Sequence, residues 1–317
     1  MFSQVMTVNG PLPPSALGTT DAHTHVWIAA VAGAAADAPQ LHDAAAIVRE
    51  LEDFRRVGGG AVVDCQPGGC GRDGRSLARL SAASGVHIVA ATGYHRARYY
   101  APDAPQLRFT AEQACDYFVG EILGGLTETR EDAGPVYPGF IKIAAEATLE
   151  QSPLALMEGA AAASLATGYA IEMHTEQGAS AEHFLEFFIQ QGVSPQRLVF
   201  CHIDKRPDVA LHRELAAAGV VLEYDTFFRP KYQPDTNVWP LLEALAAAGF
   251  DHQIALATDM ADSAMWRSYG GGPGMAAFVT QIGARLASVG FQDSAVRSLT
   301  GGAIAERLAV PVAQGGV

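Results

Sequence analysis

The sequence has few cysteines and few basic residues, and each shortage argues against a class of protein. Only four of its 317 residues are cysteine, and their spacing matches neither a zinc ribbon nor a disulfide framework. We therefore expect free thiols in a reducing compartment, which favours a cytoplasmic location. Lysine and arginine number 21 against 34 acidic residues, a formal net charge of −13. This negative charge argues against nucleic acid or an anionic membrane as the main partner.

Long apolar runs and phosphate-binding glycine motifs are also lacking. No uninterrupted apolar stretch reaches the length of a membrane-spanning helix, and residues 1–14 have neither the basic segment nor the apolar segment of a signal peptide. The glycine cluster at residues 270–274 lacks the following Lys-Ser or Lys-Thr of a phosphate-binding loop. Hydrophobic residues nevertheless make up 49% of the chain, which predicts a sizeable core.

Strand-like and helical segments alternate along the chain. Apolar, β-branched runs predict eight strands, at residues 19–28, 61–65, 87–92, 139–144, 169–174, 198–202, 220–225 and 253–259. Helical spacing of Ile47, Leu51 and Phe54 marks the first intervening helix, and Thr110 is a predicted N-cap. The repeat of roughly 36 residues per unit fits a (β/α)8 TIM barrel. We expect one domain over residues 1–317, with a core at about 18–310.

A doubly wound open sheet is the alternative fold. That fold normally places a glycine-rich phosphate turn after its first strand. Here the first predicted strand carries Asp21-Ala22-His23-Thr24-His25 instead. Because side chains alternate along a strand, His23 and His25 would face the same way.

Potential metal ligands stand where the predicted strands end. In a barrel of this type the active site lies at the carboxyl ends of the strands. A polar residue after an apolar run is costly to bury without a partner. Four histidines, one lysine and one aspartate at such positions therefore predict a binuclear metal centre, formed by His23, His25, Lys142, His174, His202 and Asp259.

Lys142 is the least expected member of this set, because it lies between Ile141 and Ile143. Desolvation and nearby dications would lower its pKa and leave a nucleophilic amine. A neutral amine can add CO2 to give a carbamate, which can bridge two cations. The alternative is an ordinary lysine paired with Glu172 or Asp225.

These segments together resemble the phosphotriesterase family of the amidohydrolase superfamily. The resemblance covers about residues 18–308 and rests on the His-x-His pair and on residues 140–144, 173–175, 201–204, 222–226 and 256–259. It implies that His23, His25 and Asp259 hold a buried metal ion and that His174 and His202 hold an outer one. Carboxylated Lys142 and a hydroxide would bridge two divalent ions, with zinc expected and manganese, cobalt or iron as alternatives. The hydroxide would attack the substrate, and Asp259 would transfer the proton.

Several positions depart from particular branches of that family. Members that hydrolyse paraoxon carry histidine and aspartate where this chain has Thr226 and Lys205, so efficient triesterase activity is not expected. Another branch hydrolyses phosphorylated sugar lactones, and Lys231 matches its phosphate-contacting lysine. Asp262 and Met265 replace the arginine and tyrosine of that branch, and Asp262 would repel an anionic substrate tail.

Substrate contacts are predicted on three segments near the strand ends, from Tyr94, Arg229, Lys231, Tyr232, Asp262 and Trp266. Arg229, Lys231 and Tyr232 would bind a substrate carboxylate or would be solvated loop residues. Trp266 would cover an apolar pocket as part of a lid. His95, near the mouth, is assigned no role.

The sequence therefore predicts a metal-dependent hydrolase of a small-molecule lactone or other carboxylic ester, with weak phosphotriesterase activity. The first alternative is hydrolysis of an N-acyl amino acid or a similar amide. The second is a barrel that binds a small molecule without turnover. A homodimer is the assembly expected if the chain associates.

Overall fold

A computed structural model describes residues 3–311. Its strands are β1 (Ser3–Thr7), β2 (Gly10–Leu12), β3 (Thr19–Thr24), β4 (Gly59–Asp64), β5 (His87–Gly93), β6 (Phe140–Ala144), β7 (Ile171–His174), β8 (Leu198–Cys201), β9 (Val221–Tyr224), β10 (Ile254–Leu256) and β11 (Val310–Pro311). Strands β3 to β10 form one parallel sheet in chain order. The backbone N–H of Asp259, beyond β10, donates to the carbonyl of His23 in β3 at 2.8 Å. The sheet thus forms a nearly closed (β/α)8 barrel, which confirms the predicted fold and excludes the open sheet.

Helices connect the barrel strands and cover the outside of the sheet. They are α1 (Ala44–Arg56), α2 (Gly74–Ser84), α3 (Ala111–Gly124), α4 (Leu154–Thr167), α5 (Ala181–Gln190), α6 (Val209–Ala218), α7 (Val238–Ala247), α8 (Ala284–Ser288), α9 (Asp293–Arg297) and α10 (Ala303–Leu308). Thr110 caps α3 as predicted and forms a capping box with Gln113. Within residues 3–311, none of the helices combines the length and the apolar character needed to cross a membrane.

The core has two apolar layers. Ile47, Leu51 and Phe54 of α1 are fully buried in the layer between helices and sheet, as their spacing predicted. Side chains at alternate strand positions fill the barrel interior. Most of them are small or β-branched, such as those of Ala61 and Val63. The interior is packed rather than hollow, and above this apolar layer lies a buried polar layer that includes Lys142, Glu172 and Glu223.

The lower end of the barrel is closed by a small sheet that the sequence did not reveal. Strand β1 pairs antiparallel with β2 and with β11 from the other end of the described chain. Val5 of β1 and Leu17 are fully buried against the barrel interior. Strands of two to five residues are too short for periodicity to identify, and their pairing is a long-range contact.

The first barrel strand is shorter than predicted. It ends at Thr24, because the backbone N–H of Val26 donates to the carboxylate of Asp64 at 2.7 Å and so leaves the sheet ladder. Ile28 then pairs with Leu41 in an isolated antiparallel bridge. His25 consequently lies just beyond the strand, and residues 29–40 form a loop over the upper end of the barrel.

Candidate metal centre

The structure brings five of the six predicted ligands together at the upper end of the barrel. Nε2 of His23 and Nε2 of His25 lie 3.8 and 3.9 Å from Oδ1 of Asp259. The ring of His202 lies 4.9 Å from that of His23 and 4.7 Å from that of His174, between centroids. These distances leave nitrogen and oxygen atoms facing a common space.

Two of these residues have a strained backbone. Asp259 and His202 have φ angles of 48° and 62°, in the left-handed region that residues other than glycine rarely adopt. The backbone N–H of Asp259 is held by the carbonyl of His23, and its Oδ2 accepts from Arg229 at 3.0 Å. Such strain persists where surrounding contacts determine the conformation, and it is concentrated at functional sites.

Three of the four histidines donate from Nδ1 to a buried acceptor. The pairs are His23 with Glu223 at 3.1 Å, His25 with Gln66 at 2.7 Å, and His202 with Asp225. A proton on Nδ1 leaves the lone pair on Nε2, the arrangement typical of histidines that ligate metals. The sequence assigned no role to Glu223 or Gln66. Glu223 could have been noticed as an acidic residue inside an apolar run, two places before Asp225 and on the same face of the strand.

Burial keeps the imidazoles neutral. It lowers the pKa of His25 to about 4, and burial together with the nearby Lys142 lowers the pKa of His23 well below its usual range. Burial alone would raise the pKa of Asp259, but His202 and a neighbouring guanidinium lower it, so this carboxylate stays ionised. Neutral imidazoles beside an ionised carboxylate are suitable ligands for a divalent cation.

Lys142 is fully buried one layer below the histidines. Its Nζ lies 3.4 Å from Sγ of Cys201 and 3.5 Å from Oε1 of Glu172. Burial alone would lower the pKa of Lys142, but the facing thiols of Cys201 and Cys65 and the carboxylates of Glu172 and Glu223 raise it above its usual range. The expected neutral amine is therefore not favoured by the side chains of the protein alone. The carbamate expected at Lys142 stays a prediction, because it depends on two nearby dications as well as on desolvation.

A cavity of about 170 Å³ opens above the five ligands. Besides those ligands it is lined by the loop of residues 29–40 and by His95. Nδ1 of His95 accepts from the backbone N–H of Arg96 at 2.8 Å. Its ring lies 6.0 Å from that of His25 and 5.8 Å from that of His174, between centroids. His95 thus belongs to the site, at whose mouth the sequence had placed it without assigning it a role.

The family follows from comparison of the whole chain. The model of the phosphotriesterase family matches residues 3–300. The chain belongs to the phosphotriesterase family, as its motifs predicted. Family membership makes the protein a metal-dependent hydrolase, and the histidine and aspartate cluster described above provides the corresponding candidate site.

Relatives of this phosphotriesterase-family protein include hydrolases of two kinds. A phospho-furanose lactonase from Mycoplasmopsis synoviae is 27% identical over 281 residues, which cover 83% of this chain and 78% of that protein. An N-acetyltaurine hydrolase from Xenopus tropicalis is 24% identical over 313 residues, covering 86% and 88%. Among solved structures, a lactonase from Listeria monocytogenes has the same fold, with a TM-score of 0.86 at 23% identity and coverage of 97% and 99%.

None of the six residues predicted to contact substrate lines the cavity. Arg229 holds the carboxylate of Asp259. Nζ of Lys231 and Nζ of Lys205 lie over the ring of Tyr232, at 4.9 and 5.7 Å from its centroid. Arg229, Lys231 and Lys205 therefore form a cationic rim beside the site, with Tyr232 beneath the two lysines and none of the four in the cavity lining.

The other three predicted contacts do not line the cavity. Tyr94 is buried, and its hydroxyl finds no hydrogen-bond partner in the described part of the chain. The indole of Trp266 is fully buried and donates to the carbonyl of Met260 at 2.9 Å, so it is anchored in the core instead of covering a pocket. Asp262 caps a short helical turn through the N–H of Ala264.

Proposed function

We propose that the protein hydrolyses a lactone or another carboxylic ester at a pair of divalent cations. The most direct support comes from the hydrogen bonds that three histidines make through Nδ1. His23, His25 and His202 each have Nδ1 engaged by a buried acceptor, which leaves Nε2 available as a ligand. A purely structural cluster would not need the same tautomer at three positions.

The donor set fits two cations. His23, His25 and Asp259 would hold one, and His174 and His202 the other, with carboxylated Lys142 between them. Nε2 of His174 is buried, makes no hydrogen bond within residues 3–311 and lies 3.6 Å from Oε2 of Glu176, so it remains available as a ligand. Zinc is the proposed ion, because nitrogen and carboxylate ligands suit it, with manganese, cobalt or iron as alternatives.

The pair of cations would supply hydroxide near neutral pH and polarise the oxygen of the scissile group. Asp259 would accept the proton of the attacking nucleophile, and its ionised carboxylate and partly exposed side chain support this role. Arg229 orients that carboxylate through Oδ2. The cationic rim of Arg229, Lys231 and Lys205 would attract an anionic substrate group.

We propose ester cleavage as the main reaction and rank two other reactions below it. Amide hydrolysis requires protonation of the leaving nitrogen, and it is retained as the second candidate because the relatives include N-acetyltaurine hydrolases. Phosphotriester cleavage is proposed to be weak, since Thr226 and Lys205 replace the histidine and aspartate of efficient triesterases. Thr226 instead donates to the carboxylate of Asp204 at 2.6 Å.

Matched pairs of substrates test the proposal. The protein is loaded with zinc or manganese, its metal content is measured by mass spectrometry, and its kcat/KM is compared for a lactone, a linear ester and the amide with the same acyl group. We expect two ions per chain and a higher kcat/KM for the oxygen esters. Asp259→Asn should abolish turnover. A protein with two ions that hydrolyses nothing in the panel would favour the binding-only alternative. A higher kcat/KM for the amide would favour the second candidate.

A cytoplasmic location and a homodimer complete the proposal. The four cysteines are unpaired in the structure, and three of them are buried, which suits a reducing compartment. Cell fractionation and sedimentation of the purified chain would test these two points separately from the chemistry.

A further inference from the structure

One wall of the cavity consists of small apolar side chains from a single loop. In residues 29–40 the half-buried positions line the cavity, namely Ala29, Val31, Ala34, Ala35, Ala38 and Pro39, and the exposed Gln40 lies at the edge of this wall. The intervening positions, including Ala36, are exposed. The loop therefore has an inner face toward the candidate metal centre and an outer face toward solvent.

Backbone hydrogen bonds hold this loop in place. Ile28 and Leu41 exchange two bonds, at 2.8 and 2.9 Å, and so close its ends. The N–H of Ala29 donates to the carbonyl of Gly71, and that of Ala35 to the carbonyl of Arg98, both at 2.8 Å. A wall that is already ordered loses little conformational entropy when a ligand binds.

Charges near the site are concentrated away from this wall. Arg229, Lys205 and Lys231 lie around the loop after β9, whereas the inner face of residues 29–40 carries none. A charged group placed against the alanines would lose its hydration without gaining a partner. An alkyl group would instead lose contact with water and gain packing contacts.

We propose that residues 29–40 form a subsite for a short, unbranched alkyl chain of the substrate, beside the scissile ester. This deepens the proposed function and rests on it. The alanine and valine side chains leave the space that the chain would occupy, and the 170 Å³ cavity limits it to a few methylene groups. The substrate class is then a lactone or ester with a short aliphatic substituent and with any anionic group directed to the cationic rim.

A homologous series measures this subsite. For lactones with substituents from methyl to octyl, kcat/KM should rise about twofold to fourfold per methylene and then level off or fall when the cavity is full. Ala38→Asp places a carboxylate on the inner face and should remove this dependence on chain length. Ala36→Asp places the same charge on the outer face of the same loop and should preserve it. No dependence in the unmodified protein, or equal effects of the two variants, would overturn the subsite.

Binding without turnover separates this proposal from the proposed function. A series of n-alkyl hydroxamic acids, which chelate metal ions, is titrated into the zinc-loaded protein by calorimetry. Affinity should increase with chain length in the unmodified protein and in Ala36→Asp but not in Ala38→Asp. If no lactone is hydrolysed but this pattern holds, the proposed function fails and the subsite stands. If lactones are hydrolysed but the affinity for hydroxamates does not depend on chain length, the proposed function stands and only the proposed subsite is rejected.

Discussion

At the scale of single residues, the candidate site depends on side chains that sit behind the ligands. Glu223 accepts from His23, and Glu172 lies 3.5 Å from Lys142, one strand layer below the cavity. These carboxylates are fully buried. A buried carboxylate is costly unless it is paired, and Glu172 gains a further partner in the thiol of Cys65, which donates to it at 2.7 Å.

Removing Lys142 tests the proposed bridge between the cations. Lys142→Ala should lose most activity and at least one metal ion, because no other side chain can take the place of the carbamate. Added acetate or propionate should restore part of both by filling the space. Metal content and kcat are measured with and without the carboxylate, and the unmodified protein serves as the control. Full activity and two ions in Lys142→Ala would contradict the bridging role.

Replacing Glu223 tests its effect on His23. Glu223→Leu removes the acceptor for Nδ1, and we expect metal affinity to fall about 10-fold to 100-fold. Glu223→Gln keeps an acceptor and should lose less. Affinity is measured by competition with a chromophoric chelator.

A matched control for this experiment is Glu50→Gln. Glu50 is equally buried but accepts from the backbone N–H groups of Ser268 and Met275, outside the candidate site. Glu50→Gln should lower the free energy of unfolding but leave metal affinity unchanged. Equal metal affinity in Glu223→Leu and the unmodified protein would show that Glu223 does not position His23.

At the scale of elements, the upper loops carry the site and the caps define the helices that support it. Asp43, Asp73, Thr110 and Asp208 each accept from the first turn of the following helix. Such caps stop each helix from extending into the loop before it, and the loops are then free to adopt irregular conformations.

The contribution of the α3 cap to the free energy of unfolding can be predicted. Thr110→Ala removes the side-chain acceptor for the N–H of Gln113 and should lower the free energy of unfolding by about 1 kcal/mol. Thr110→Ser keeps the hydroxyl and should change it by much less. Urea denaturation of both variants measures the difference. Equal stability of the alanine and serine variants would argue against the capping role.

At the scale of the whole molecule, one buried ion-pair network links the loop after β4 to α3 and to the barrel. Arg72 donates to Glu121 at 2.6 and 2.9 Å, to Glu128, and to the carbonyl of Ala91 in β5. Thr92 also donates to Glu121. Because the loop after β4 also carries Gln66, the partner of His25, this network supports the site from a distance.

The network predicts a loss of stability in acid. Burial alone would raise the pKa of Glu121, but Arg72 and the other donors lower it to about 2. Its contribution, about 3 kcal/mol, is therefore complete above pH 4.5 and is lost as the pH falls toward 2.

Glu121→Gln should remove this part of the acid dependence and lower stability at neutral pH by about 3–5 kcal/mol. Glu112→Gln, at an exposed position of the same helix, is the control. It should change neither the acid dependence nor the stability at neutral pH. Urea denaturation between pH 2 and 7 measures both. An unchanged pH profile in Glu121→Gln would contradict the assignment.

The sequence by itself was sufficient to predict the barrel and the family, and it selected five candidate ligands that the structure brings together. Period-two and helical spacing report which side chains are buried, and a repeated strand and helix leave few ways to close a sheet. His23, His25, His174, His202 and Asp259 could be selected because polar residues at the ends of apolar strands are unusual. All of this information is local in the chain.

Only the tertiary structure decided the surroundings of those residues. Glu223 lies 200 positions from His23, and the pairing of β1 with β11 joins opposite ends of the described chain. The wall formed by residues 29–40 and the buried Trp266 likewise follow from contacts with distant segments. Such contacts depend on how strands and loops pack in space, and no periodicity in the sequence encodes which distant residue a side chain will meet.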